Sequence, residues 1–111
     1  MTMEERLKEI GKAWEKDDGT IRYYVNDWRA MIDLKVGYYK TGNVSDVTYK
    51  GNKCSNNWYR KHCSLTKVWI SPGGDVHVDY CEDDDVIRDI KKTIQERLME
   101  GEDERDKGQS E

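Results

Sequence analysis

The fold class is decided by residues 67–80, which read Lys-Val-Trp-Ile-Ser-Pro-Gly-Gly-Asp-Val-His-Val-Asp-Tyr. Pro72 and Gly73 suit the two central positions of a type II turn, where proline presets φ and glycine accepts a positive φ. Alternating residues flank this turn on both sides. On the second arm, valines alternate with aspartate and histidine, so one face of the strand is apolar and buried and the other is polar and exposed to solvent. The stretch therefore predicts a β-hairpin.

Amphipathic helices are predicted at both ends of the chain. Residues 3–16 place apolar side chains on one stripe and charged side chains outside it. Towards the other end, the aspartates at 83–85 gather where negative charge is favourable at a helix start, and an apolar stripe continues to about Met99. Residues 101–111 hold five acids, two bases and no apolar residue, which is typical of a disordered acidic tail.

The middle of the chain is mostly extended. Short strands are predicted at three places, namely residues 21–25, residues from about 32 to 40 and residues 44–49. Residues 27–31 fit either the start of a strand or one helical turn, and the pattern does not choose between them. Residues 54–65 have no alternation, and Ser55 is a suitable N-cap for a short helix there.

This element order predicts an α+β domain, with an antiparallel sheet of about five strands between two helices. The strands form a meander, and the N- and C-terminal helices pack on one face of the sheet. A chain of 111 residues has the length of one domain with one modest core, so residues 1–100 are predicted to be that single domain.

Charge is unevenly distributed along the chain. The formal net charge is -4, and residues 101–111 alone account for -3 of it. Residues 47–74 contain no Asp or Glu, whereas acids cluster directly afterwards. The folded domain should therefore have one positively charged side and one negatively charged side. This charge distribution bears on its partners more than on its fold.

The acid-free stretch also contains aromatic residues, and this combination gives the sharpest candidate site. Cations offset phosphate charge, while flat rings stack on bases. The candidate binding residues are Lys50, Lys53, Trp58, Tyr59, Arg60, Lys61 and Lys67, together with Tyr24 and Tyr39 as tyrosines of the exposed sheet face. The alternative interpretation of this segment is a solvent-exposed connecting loop without a binding role, in which the Trp58 side chain packs into the core.

No catalytic residue, metal site or cofactor is predicted. His77 and Cys81 lie about 13 Å apart on an extended strand, too far to chelate one ion. Cys63 as nucleophile with His77 as base would make a cysteine- and histidine-dependent hydrolase, but no spacing tests that geometry. The sequence has no phosphate loop, dinucleotide fingerprint or metalloprotease motif. We therefore expect a protein that is not an enzyme.

The resulting functional hypothesis is a non-catalytic cytosolic binding protein that acts stoichiometrically on a macromolecule. Three cysteines suit a reducing cytosol, and no apolar run reaches membrane-spanning length. Four Trp and seven Tyr with no Phe suit an interface with aromatic anchors, so a protein partner is favoured. A small viral or mobile-element inhibitor of a host defence complex, of the anti-CRISPR kind, would have this profile.

Two alternatives remain open from the sequence. The first is binding of single-stranded nucleic acid or a nucleotide through the basic aromatic segment, residues 50–67. The second arrangement is a homodimer formed through a free sheet edge, which would also bury aromatic side chains.

Overall fold

The computed structural model describes the backbone of residues 2–110 and the side chains of residues 2–99. Within this part of the chain there are four helices: α1 (Met3–Ile10), α2 (Trp28–Met31), α3 (Asn56–His62) and α4 (Asp84–Ser110). The strands are β1 (Lys12–Glu15), β2 (Ile21–Tyr24), β3 (Leu34–Tyr38), β4 (Val44–Tyr49), β5 (Asn52–Cys54), β6 (Lys67–Ile70) and β7 (Val76–Asp79). The predicted acidic tail, residues 101–111, lies outside the described side chains.

The strands form two antiparallel sheets, so the predicted α+β class is confirmed. The larger sheet has the order β1-β2-β6-β7, and the smaller sheet has the order β3-β4-β5. The predicted single meander of five strands therefore requires correction. Its physical reason is that β2 pairs with β6, through Tyr23 opposite Ile70 and Tyr24 opposite Trp69. The chain between these two strands forms its own sheet.

Strand β1 lies where the sequence predicts the last turns of a helix over residues 3–16, and that helix ends at Ile10 instead. The Gly11 N–H donates to the carbonyl of Leu7 at 2.8 Å and closes the helix. A Cβ at Gly11 would lie 3.0 Å from the carbonyl carbon of Tyr23, so glycine lets the chain pass close to β2. Trp14 then faces solvent, with 54% of its surface exposed.

Two segments without a clear alternating pattern are helical. The open question at residues 27–31 resolves as the short helix α2, which buries Trp28 in the core. The predicted helix within residues 54–65 is confirmed as α3. Its N-cap is Ser55, whose Oγ accepts a hydrogen bond from the Trp58 N–H at 3.0 Å.

The core lies between the larger sheet and the terminal helices, and it continues into the smaller sheet. Helix α1 contacts β1, β2 and α4, while α4 contacts β7. Leu7, Ile70, Ile90 and Ile94 are all fully buried at this contact. Arg6 ties the two terminal helices together, since its Nη1 donates to the carbonyl of Leu98 at 3.1 Å. The opposite face of the larger sheet is partly open to solvent.

The hairpin between β6 and β7 is confirmed, but its turn differs from the prediction. Gly74 has a φ of +94°, whereas Gly73 does not lie in the positive region. The Gly74 N–H donates to the carbonyl of Ser71, and the Ser71 N–H donates to the carbonyl of Asp75. This is a three-residue loop with glycine in the left-handed position, a geometry that matches strand twist better than a type II turn does.

The two adjacent glycines of this turn should respond differently to alanine. We expect Gly74→Ala to lower the free energy of unfolding by about 1–2 kcal/mol, because a side chain is strained in the left-handed region. Gly73→Ala is the matched control and should leave stability unchanged or raise it slightly, since no atom lies within 4 Å of its Cβ position. Urea denaturation of both variants measures the difference. If Gly73→Ala proved more destabilising than Gly74→Ala, the loop would be the type II turn that the sequence predicts.

Candidate binding site on the open sheet face

Five side chains from four neighbouring strands project from the uncovered face of the larger sheet. We call this set the open face: Trp14, Arg22, Tyr24, Trp69 and His77. Trp14 lies opposite Arg22 in the β1–β2 ladder. Tyr24 lies opposite Trp69, and Trp69 lies opposite His77. Because opposite residues in an antiparallel pair point to the same side, the ladders place these rings in adjacent positions.

The centre of the open face is a stack of three side chains. The Arg22 guanidinium carbon lies 4.0 Å from the centroid of the Trp69 ring. The His77 ring is also 4.0 Å from the Trp69 ring, with 11° between the two planes. The Trp69 Nε1–H donates to Oδ2 of Asp79 at 2.9 Å, which orients the indole. Cation–π attraction and ring stacking therefore hold this group in one arrangement.

Trp14 and Tyr24 lie beside the stack and are less enclosed. Their rings meet edge to face, with centroids 6.2 Å apart and 66° between the planes. Arg22 Nη1 donates to the Tyr24 hydroxyl at 3.4 Å, which links this pair to the stack. Just over half of the Trp14 surface is exposed, so Trp14 is the residue of the open face that a ligand can reach most easily.

A groove of about 530 Å³ adjoins the open face at its Tyr24 end. Its lining contains three cations, Lys12, Arg29 and Lys67, beside the rings of Trp14 and Tyr24, and no Asp or Glu among the described residues. Lys12 lies opposite Tyr24 in the β1–β2 ladder. The groove is therefore a concave surface that combines positive charge with aromatic walls.

Arg29 is held firmly at the groove. Its Nη2 donates to the carbonyl of Cys63 at 3.0 Å, and its guanidinium carbon lies 4.5 Å from the centroid of the Trp28 ring. Its Nε is buried and has no hydrogen-bond partner among the described residues. A buried donor without an acceptor costs free energy.

Two of the nine sequence-predicted binding residues belong to this site. Tyr24 is part of the open face, and Lys67 lines the groove. Tyr39 is 67% exposed but lies after β3, in the smaller sheet's connecting loop. Lys67 is separated from the other predicted cations because it begins a strand of the larger sheet. Residues 50–61 belong to the smaller sheet and the helix α3 that follows it.

The other predicted residues lie apart from this face, and several of them stabilise the fold. The Lys50 Nζ lies 2.6 Å from Oδ2 of Asp89. Trp58 is half-buried and stacks on Tyr49 at 5.9 Å. Tyr59 is only 3% exposed, and this burial is the main cause that raises the pKa of its hydroxyl. Three cations on the surface complete the set: Lys53, Arg60 and Lys61.

Five residues of the open face and groove are not among the predicted binding residues: Lys12, Trp14, Arg22, Arg29 and Trp69. Trp14 falls within the helix predicted over residues 3–16, where its apolar ring belongs to the buried stripe. The usable signal was strand alternation: Arg22 with Tyr24, and Lys67 with Trp69, are residue pairs two apart on short strands, so each pair shares one face.

The surroundings of Cys63 do not favour a role as a nucleophile. Cys63 is buried at the end of α3, and burial raises the pKa of its thiol to about 12. A thiol with such a pKa is a weak nucleophile at neutral pH. His77 is engaged in the stack on Trp69. Among the described residues, no three His, Cys, Asp or Glu side chains come together as ligands for a metal ion.

Comparison with family models, with curated proteins and with solved structures gives no match. The described helices contain no segment that is both long and apolar enough to span a membrane. The fold and the open face together define an α+β domain with an aromatic and cationic sheet surface.

Proposed function

We propose that this chain is a non-catalytic binding protein that holds one macromolecular partner, in a fixed ratio, on its open face and groove. The observation that carries this proposal is the prearranged row of rings and cations across β1, β2, β6 and β7. Rings that are already ordered lose little conformational freedom on binding, so their contact area contributes more of its free energy to affinity.

Two further observations support this proposal. The rings that are best placed for contact, Trp14 and Tyr24, are of the residue types that dominate binding hot spots. The three cysteines Cys54, Cys63 and Cys81 are free thiols, which agrees with a working environment in the reducing cytosol. The buried Cys63 argues against thiol catalysis as the competing function.

The experiment is affinity purification of the tagged chain from the cells that produce it, followed by native mass spectrometry. We expect a partner in one fixed ratio with the parent chain and with a Tyr39→Ala/Tyr80→Ala control, which removes two exposed rings elsewhere. The Trp14→Ala/Tyr24→Ala variant should lose that partner. If both double variants retain it equally, the open face is not the binding surface. The native mass of the isolated parent chain shows whether the chain also forms a homodimer.

A further inference from the structure

We propose that the partner is a single-stranded nucleic acid, with a base stacked on Trp14 next to Tyr24 and phosphates beside Lys12 and Lys67. This inference rests on the function proposed above and assigns the chemical class of the partner. It also moves the nucleic-acid hypothesis away from most of residues 50–67, since only Thr66 and Lys67 of that segment line this groove.

The arrangement of the rings favours bases as the ligand. Every nucleobase has a flat face, and sheets that present aromatic side chains are a recurrent platform for unpaired bases. The Trp69 ring is already covered by Arg22 and His77, so it is a support and not a stacking site. Trp14, with its larger exposed area, is the ring that a base can reach.

The local charge favours a phosphate backbone. Lys12, Arg29 and Lys67 line the groove, on a chain whose net charge is -4, so positive charge is concentrated here. Asp79 lies opposite Lys67, but its carboxylate accepts a hydrogen bond from the Trp69 indole. Lys12 and Lys67 are two strands and two residues apart, about 12 Å, which places them on either side of Tyr24.

A protein partner with an acidic segment is the competing occupant. It would satisfy the cations, but acidic side chains do not themselves supply a flat ring to stack on the exposed Trp14 ring. A duplex would satisfy the cations as well, but its bases are stacked internally and leave Trp14 unused. The combination of an exposed ring and neighbouring cations therefore favours single strands over both alternatives.

The test measures fluorescence anisotropy of labelled, mixed-sequence 12-nucleotide RNA and DNA single strands, and of the matching duplex, at 50–200 mM salt. We expect a single strand to bind more tightly than the duplex. Trp14→Ala should weaken that binding by about 5- to 150-fold, the value of one base stack. The Lys12→Ala/Lys67→Ala variant should make the slope of log K against log salt shallower by about 1.4.

A matched control comes from α3. Arg60→Ala/Lys61→Ala also removes two exposed cations and should leave affinity and salt slope unchanged. If this control weakens binding as much as the Lys12→Ala/Lys67→Ala variant does, the site is on α3 and the inference is wrong. The inference is also overturned if Trp14→Ala, folded by circular dichroism, binds single strands as the parent does.

The two proposals can fail separately. If single strands do not bind at 50 mM salt while the Trp14→Ala/Tyr24→Ala variant loses its cellular partner, the partner is a protein and only the nucleic-acid assignment is wrong. If neither result is obtained, the open face is not a binding surface and both proposals are wrong. Release of the purified partner by nuclease treatment supports the assignment to nucleic acid.

Discussion

The Trp28→Ala variant should lose about 3–5 kcal/mol of its free energy of unfolding, the usual cost of removing a buried aromatic side chain. Trp28 is 2% exposed, and its helix α2 contacts both α4 and β3. The ring therefore fills the space between the terminal helix and the smaller sheet. Loss of this volume leaves a cavity that the short helix cannot close. The expected loss is a large part of the 5–15 kcal/mol that stabilises an ordinary domain.

Trp14→Ala is the matched control, since it removes the same side chain from the surface. Trp14 is 54% exposed, and we expect a loss below about 1 kcal/mol. Guanidinium denaturation, monitored by far-UV circular dichroism, measures the free energy of unfolding of both variants without depending on tryptophan fluorescence. Equal losses would mean that the Trp28 ring does not fill the space between α4 and the smaller sheet. A small loss for Trp14→Ala also ensures that its binding defect reports contact with the partner.

The comparison with the sequence shows which kinds of structure local patterns can predict. The β6–β7 hairpin and the apolar stripe of α4 follow from residues close together in the chain, and both are confirmed. The pairing of β2 with β6 joins residues more than forty positions apart. No alternation specifies such a partner, and consecutive strands usually pair, so the single meander was the economical but wrong expectation.

The candidate site shows the same limit more strongly. The distribution of charge along the chain predicts a site within residues 50–67, where no acid interrupts the cations. In the fold, Trp58 packs against Tyr49 while Lys67 joins a different sheet, so a linear run becomes two surfaces. The open face is assembled from four strands by long-range pairing. Each β-strand contributes only two or three alternating residues. These are too few to predict that the polar faces of the four strands lie side by side.

The Asp89→Ala variant should lose about 1.5–2 kcal/mol of its free energy of unfolding at pH 7, because Asp89 joins α4 to the end of β4. The Tyr49 hydroxyl donates to Oδ2 of Asp89, and the Lys50 ammonium lies 2.6 Å from the same oxygen. Hydrogen bonds to a charged group contribute more than neutral ones. The Lys50 side chain is 53% exposed, so solvent screening weakens its ion pair with Asp89 and limits the expected loss to about 1.5–2 kcal/mol.

This loss should depend on pH in a defined direction. The hydrogen bonds from Lys50 and Tyr49 hold the pKa of the Asp89 carboxyl below its ordinary value of 3.8. The folded state therefore favours the ionised form, and the stabilisation is fully present above the unfolded-state pKa. It is lost as the pH falls through the lower, folded-state pKa. The stability gap between parent and variant should stay constant from pH 7 to about pH 5 and narrow below about pH 4.

Asp85→Ala is the control on the same helix, because Asp85 and Arg88 form an ion pair in which both side chains are largely exposed. We expect it to lose about 1 kcal/mol or less. Urea denaturation at pH 7, 5 and 3 measures all three chains. A gap for Asp89→Ala that persists at pH 3 would assign the loss to packing alone. A narrowing gap would mean that Lys50 and Tyr49 stabilise the fold through the ionised Asp89 carboxylate.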